Sequence, residues 1–286
     1  MINTRNFIDL TIPQYLLIAL VSPLSAFMII NQNMPDLNFI YLILSLSFAI
    51  LGFNTMNSVF DAEIDKVDRP LRPIPSNRIS VKEARLLAAL LLFISIAISL
   101  LVNPFFFTLV ATFVMVSYLY SALCLKKYIW GSILTGSVLY GVIPFLSAYS
   151  VSNTNFSGFF LFLFTALFAI ISSTKDFEDL QGQRKFKLRS LPLIFGSKKT
   201  RSIICWSLLA LIYLTIASSI FEVISTKFLL PASVWLLGYL IYRHFLISEI
   251  EKLQFTKKKI VTQSNIPTVS IIFVLFVQLM FGILSL

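Results

Sequence analysis

The sequence predicts an all-α integral membrane protein of nine transmembrane helices, with its amino terminus in the cytoplasm. Three observations carry this. First, 57% of the 286 residues are hydrophobic and only 13% are charged, with a mean hydropathy of +0.87. A soluble domain usually carries about 25% charged residues. Second, nine apolar runs each approach the roughly 20 residues that span hydrocarbon. Third, every Lys and Arg except Lys227 falls before the first run or in and beside the connections after even-numbered runs. That bias places the amino terminus and those four connections on the cytoplasmic side, and the carboxyl terminus outside.

The runs cover about 12–30, 38–57, 84–102, 104–123, 130–149, 156–174, 201–221, 226–243 and 265–285. Before the first stands a single basic residue, Arg5, and Asp9 interrupts the apolar stretch. No clean small-residue cleavage site follows, so this run reads as the first membrane helix rather than a cleaved signal. Connections after odd-numbered runs are short and nearly uncharged; those after even-numbered runs hold the charge. The 28 Phe residues suit lipid-facing and helix-packing positions. The net charge of +10 follows from topology, with attraction to anionic headgroups or a phosphorylated substrate as a further use. It does not argue for nucleic acid. One His and two distant Cys, Cys124 and Cys205, argue against a zinc site, a haem site or a Cys–His nucleophile. Both thiols read as packing residues.

The charged connections are not uniform. Asn57, Asp61 and Asp65 follow one another at intervals of four, which aligns them on one helix face where the second run leaves the apolar zone. Neighbouring carboxylates repel, and a carboxylate near hydrocarbon is costly, so something must compensate. Mg²⁺ commonly bridges carboxylates to substrate phosphates. Asp176 and Asp179 form a second acidic pair after the sixth run, on the same side. Beside the first cluster stand Arg69, Arg72 and Arg78; beside the second, Arg184, Lys185, Lys187 and Arg189; Lys126 and Lys127 lie between the fourth and fifth runs. Carboxylates that hold a metal, with Arg and Lys around them, suit a metal-bound diphosphate. Lys198, Lys199, Arg201 and Lys257 to Lys259 read as ordinary solvated anchors, and Tyr118 and Tyr120 as interfacial belt residues. Glu63 and Asp68, off the face of the triad, fit either role.

Asn57-x-x-x-Asp61-x-x-x-Asp65, followed by Arg69-Pro70 and "RPIPS" from Arg72, resembles the first signature of the UbiA-type intramembrane prenyltransferases. "KDFEDLQGQRKFKLRSLPLIFG", from Lys175, is similar to their second. The resemblance implies a UbiA-like bundle with a central cavity, forming one membrane-embedded prenyltransferase domain over 1–286. It implies Mg²⁺-dependent ionisation of an isoprenyl diphosphate and alkylation of a membrane-associated acceptor in the cell membrane. Carried over, Asn57, Asp61 and Asp65 hold one Mg²⁺–diphosphate and Asp179 serves a second, with Asp176 a further candidate ligand. Arg72, Lys126 and Lys127 neutralise phosphate. Gln183 stands where the family usually has an acidic residue, and is a neutral candidate ligand. Asn77 replaces the glycine of the usual "PSG", and "TIPQY" stands where an Arg-Pro pair is common.

The two motifs, with "LYSALCLKKYIWGSILTGSVLYG", are most like the archaeal digeranylgeranylglyceryl phosphate synthase branch. That branch transfers a geranylgeranyl chain to geranylgeranylglyceryl phosphate. Prenylation of an aromatic acid for a quinone, and a chlorophyll-synthase-like reaction, are the alternative acceptor readings. A non-catalytic lipid-binding or transport protein is the alternative of another class, and Gln183 is the residue that favours it. Against a transporter, the carboxylates cluster at one face rather than near the midplane, without paired helix breaks. The sequence leaves the oligomeric state open.

Overall fold

The computed structural model describes residues 4–31, 35–122, 125–152, 154–178, 180–255 and 265–285, without the side chains of 253–255. All regular structure among them is helical. Among the described residues, eight segments are long and apolar enough to cross a membrane: Pro13–Ile30, Leu37–Phe60, Pro104–Ala122, Ile129–Ser150, Gly158–Phe177, Leu191–Ile220, Thr226–Lys252 and Ile266–Ile283. The remaining expected span, 84–102, overlaps helix Val81–Ser99, which opens on Lys82, Glu83 and Arg85 and ends three residues before the expected span does.

In chain order the α-helices are α1 Thr4–Thr11, α2 Leu16–Ile30, α3 Leu37–Phe60, α4 Ala62–Asp68, α5 Val81–Ser99, α6 Pro104–Ala122, α7 Ile129–Gly136, α8 Ile143–Ser150, α9 Gly158–Ser172, α10 Leu180–Lys185, α11 Leu191–Ile220, α12 Leu229–Phe255 and α13 Ile266–Ile283. Their starts carry recognisable caps. Asp36 accepts from the Phe39 N–H at 3.0 Å ahead of α3. Ser80 and Glu83 form a reciprocal capping box at α5. Asn103 accepts from the Phe106 N–H at 2.8 Å and donates to the Ser150 carbonyl at 2.9 Å, which ties the start of α6 to the end of α8.

Side-chain hydrogen bonds join helices where lipid offers no hydrophobic drive between them. Ser45 of α3 and Ser95 of α5 each donate to the other's carbonyl at 2.8 Å. Ser22 of α2 donates to Gln278 of α13 at 2.6 Å, both fully buried. The aromatic content divides as expected: Phe106, Phe113, Phe145, Phe164, Phe168 and Phe281 are fully buried, while Phe93, Phe162 and Phe221 face outward. Cys205 is buried as a packing residue; Cys124 lies outside the described residues.

Three expected spans differ from the helices; the eighth, expected to end at 243, continues in α12 to Phe255. The fifth is not a plain α-helix: α7 and α8 are joined by a π-helical segment, Ser137–Val142. The seventh begins ten residues early, at Leu191, but α11 breaks at Gly196, whose φ of 78° and ψ of 155° suit a residue without Cβ. Apolar periodicity reports neither feature, because both keep their side chains largely within an apolar stretch.

Candidate functional site

α3 does not run through to Asp65. It ends at Phe60, Asp61 forms a joint with φ of −89° and ψ of 3°, and α4 begins at Ala62. The hydrogen-bond ladder nevertheless crosses the joint. The Asp61 N–H donates to Asn57 and the Asp65 N–H to Asp61, each at 2.8 Å. Asn57, Asp61 and Asp65 therefore stay in register, and all three line one cavity of about 770 Å³. From the second acidic segment the same cavity receives Lys175, Asp176, Glu178, Gln183 and Ser190. The two clusters singled out in the sequence thus share one space.

Asp61, Asp65 and Glu178 each meet a cation, and Asp176 meets an amide. Lys126 pairs with Asp61, and Asn57 donates its amide N–H to the other Asp61 oxygen at 2.8 Å. Arg72 pairs with Asp65 at 2.8 Å, and Arg69 with Glu178 at 2.9 Å. Gln183 donates to Asp176 at 3.0 Å and accepts from the Ser190 hydroxyl at 2.6 Å. Lys175 donates to the Tyr120 hydroxyl. Such pairing explains how acidic side chains as buried as Asp65 and Asp176, each 5% exposed, persist beside an apolar bundle.

Deeper in, the walls turn aromatic. Phe53 precedes Asp61 by two helical turns, roughly 12 Å at 1.5 Å per residue. Its ring lies 6.5 Å from that of Tyr140, which lies 5.9 Å from Phe168 and 6.0 Å from Tyr15. Tyr140 sits on the π-helical segment, a local geometry often found at working sites. A polar, doubly charged mouth with an aromatic interior can take a ligand with an anionic head and an apolar tail.

The donor set fits a hard divalent cation. Asn57, Asp61, Asp65 and Asp176 offer oxygen ligands, and no His or Cys is among the described residues of the cavity wall. Among the described residues no three His, Cys, Asp or Glu side chains converge as a finished metal site. The carboxylates instead face cations, which an arriving metal and anion would exchange for themselves.

The expected site residues fall into three groups. Asn57, Asp61, Asp65, Arg72, Lys126, Asp176 and Gln183 line the cavity. Lys127 does not: it is exposed and outside the lining. It shares the three-residue 3₁₀ turn Leu125–Lys127 with Lys126, and neighbours there project about 120° apart, so one lysine faces in and the other out. Asp179 lies outside the described residues, as do Lys257 to Lys259. Glu63 is an exposed partner of Lys66, whereas Asp68 turns inward.

Tyr118 and Tyr120, read alike as belt residues, part company. Tyr118 is exposed against Phe60, but Tyr120 is buried, lines the cavity and bonds Lys175. Lys175, Glu178 and Tyr140 were not singled out in the sequence. Lys175 carried a usable signal, since it ends an apolar run as Asn57 does. Tyr140 carried none, because an aromatic in a hydrophobic run is ordinarily packing.

Comparison with known proteins agrees with this architecture. The UbiA prenyltransferase family model matches residues 16–266. The chain is similar to digeranylgeranylglyceryl phosphate synthase of Methanococcus vannielii, 34% identical over 155 residues, 53% of this chain and 54% of the relative. It thus spans about half the length of that curated relative. The enzyme of the same name from Pyrococcus horikoshii is 30% identical over 199 residues, 68% of this chain and 71% of the relative. A UbiA homologue from Archaeoglobus fulgidus, solved bound to GPP and Mg²⁺, shares the fold with a TM-score of 0.76 at 18% identity, over 98% of this chain and 99% of the other. With two acidic segments facing one cavity in an all-helical bundle, and a family match across most of its length, the chain belongs to the UbiA prenyltransferase family.

Proposed function

We propose that this protein transfers an isoprenyl chain from an isoprenyl diphosphate to a lipid acceptor, with Mg²⁺ as cofactor. The acceptor we favour is geranylgeranylglyceryl phosphate and the donor geranylgeranyl diphosphate. One observation carries the reading: buried carboxylates and cations from both acidic segments meet at the mouth of a cavity whose interior is lined by Phe53, Tyr140 and Phe168. The similarity to two archaeal synthases supports the choice of acceptor. The proposal extends to a single domain over 1–286, seated in the cell membrane, with nine crossings that include α5. Its amino terminus and charged connections are cytoplasmic, as the distribution of Lys and Arg supports.

Asn57, Asp61, Asp65, Asp176 and Asp179 would hold the metal, with Gln183 at the edge of that set. Bound Mg²⁺ supplies electrostatic stabilisation to a departing diphosphate. Arg72 and Lys126, already in the wall, neutralise phosphate oxygens, and Lys175 adds a further charge. The bond between C1 and the diphosphate oxygen breaks, and its electron pair leaves with the diphosphate. The acceptor hydroxyl oxygen attacks C1, an ether bond forms, and the hydroxyl proton is lost to the diphosphate. The aromatic walls hold the chain away from water, which would otherwise capture the allylic carbon. Lys127, exposed, has no part in this.

The test is incubation of purified protein with labelled geranylgeranyl diphosphate and a panel of acceptors, with Mg²⁺ or with EDTA. Labelled diether phosphate, formed with Mg²⁺ and abolished by EDTA, is expected. Product on an aromatic acid alone would redirect the acceptor. Donor binding without product on any acceptor would favour the non-catalytic alternative.

A further inference from the structure

Asp68 and Glu178 both sit in the cavity wall, and each takes a partner from the opposite acidic segment. Asp68 accepts from the backbone N–H of Gly182 at 2.7 Å. Glu178 takes Arg69 at 2.9 Å, with side chains 9% and 19% exposed. Each contact runs between the two acidic segments, more than a hundred residues apart in sequence. Ile64, one turn before Asp68 on α4, completes the meeting. A Cβ on Gly182 would fall 2.1 Å from an Asp68 oxygen and 3.0 Å from Ile64 Cγ2. α4 and α10 can therefore approach this closely only because position 182 lacks a side chain.

We infer that Asp68 and Glu178 are positioning residues that latch the two acidic segments together. They set the spacing between Asp61 and Asp65 on one segment and Asp176 on the other, and do not themselves hold metal or phosphate. Asp68 does this by accepting a backbone hydrogen bond; Glu178 does it through Arg69. The exposed Glu63–Lys66 pair on the same short helix, 70% and 55% exposed, has no such reach. The inference rests on the proposed transferase reading for its kinetic consequences but not for its structural ones.

The two readings of Asp68 separate by isosteric replacement. Asp68→Asn keeps a carbonyl oxygen that can accept from Gly182 but loses the charge. Asp68→Ala loses both. Gly182→Ala displaces the Asp68 carboxylate while keeping its charge. For a latch, the Asn variant stays within about threefold of wild type. The Ala variant and Gly182→Ala raise the half-saturating Mg²⁺ concentration and the KM for geranylgeranyl diphosphate by about tenfold, the scale of one hydrogen bond to a charged group. Their kcat moves less. Exchanging the ion pair, Arg69→Glu with Glu178→Arg, recovers most of what either single change loses.

A second readout needs no turnover. Trypsin sites at Arg184, Lys185, Lys187 and Arg189 flank the latch. Asp68→Ala and Gly182→Ala should be nicked there several-fold faster than wild type or Asp68→Asn, each with a normal size-exclusion profile. Absent turnover in wild type would remove the transferase reading and leave this measurement standing. Equal loss in Asp68→Asn and Asp68→Ala, or unchanged nicking in all variants, would overturn the latch.

Discussion

Arg72 donates to Asp65 at 2.8 Å, with side chains only 14% and 7% exposed, and both belong to the stretch that also carries Asn57 and Asp61. The signature thus supplies its own counter-ion. Removing the cation leaves a carboxylate in a nearly dry wall, a change that costs 3–5 kcal/mol in a fully buried pair. The cavity admits water, so about 2 kcal/mol is expected here. Arg72→Ala should lower the thermal midpoint in EDTA, and Mg²⁺ should recover part of the loss by standing in for the guanidinium. Lys66→Ala, which breaks an exposed pair, is the control and should shift nothing measurable. Equal drops in both variants would sink the argument.

Asp61 has a partner on each oxygen, Lys126 on one and Asn57 on the other. Asp61→Asn keeps the shape and removes the charge. If Asp61 holds metal against the leaving group, turnover should fall by at least about a hundredfold, with a smaller change in KM, because leaving-group charge develops only in the transition state. Initial rates against donor concentration decide it. Wild-type rates would make this residue an ordinary solvated charge.

How much of this was legible depends on what each feature does to hydropathy. The helices after Pro104 and Gly158 were visible because a run of 19 or so apolar residues has one economical solution in lipid. Asn57, Asp61 and Asp65 were visible because a repeat of four is a face. The joint at Asp61 was not, since the backbone hydrogen bonds cross it and the periodicity survives. Lys126 and Lys127 look equivalent in sequence; only the tight turn at 125–127 decides which faces inward. The bond from Asp68 to Gly182 spans 114 residues, beyond any local signal.

Orientation rests on Lys and Arg, and labelling can test it. In a background without Cys124 and Cys205, Lys185→Cys should react with a membrane-impermeant thiol reagent from the cytoplasmic side alone. Val223→Cys, exposed between α11 and α12, should react from the opposite side alone. Labelling of both from one face would overturn the positive-inside assignment.

The capping box at α5 predicts a pH dependence. Hydrogen bonds from the Ser80 backbone N–H and hydroxyl hold the Glu83 carboxyl below its usual range. A depressed folded-state value means the contribution is present above the unfolded value and is lost as pH falls through the folded one. Comparing thermal midpoints of wild type and Glu83→Gln over an acid titration checks this. The gap between them should be open near neutrality and close on acidification. A gap that widens on acidification would contradict the sign.

Gln183 gives the prediction that the sequence alone would have turned the other way. Its place in the motif suggests that Gln183→Asp restores a missing carboxylate and tightens metal binding. In the structure Gln183 donates to Asp176 at 3.0 Å and receives the Ser190 hydroxyl at 2.6 Å, with all three residues buried. An aspartate there cannot donate to Asp176 when ionised. It sets two carboxylates side by side, and one of them takes up a proton with a raised value. A raised folded-state value leaves stability intact below the usual carboxylate range and removes it as pH rises through the new value. Without metal, Gln183→Asp should match wild type at acidic pH and lose thermal stability toward neutrality. Saturating Mg²⁺ should not narrow that loss, because a metal that binds the variant more weakly adds less to its stability than to that of wild type. Activity at low Mg²⁺ should fall and recover as Mg²⁺ rises, moving the half-saturating concentration upward. A variant more stable than wild type at neutral pH in EDTA would mean that Gln183 does not orient Asp176 in the way its hydrogen bonds indicate.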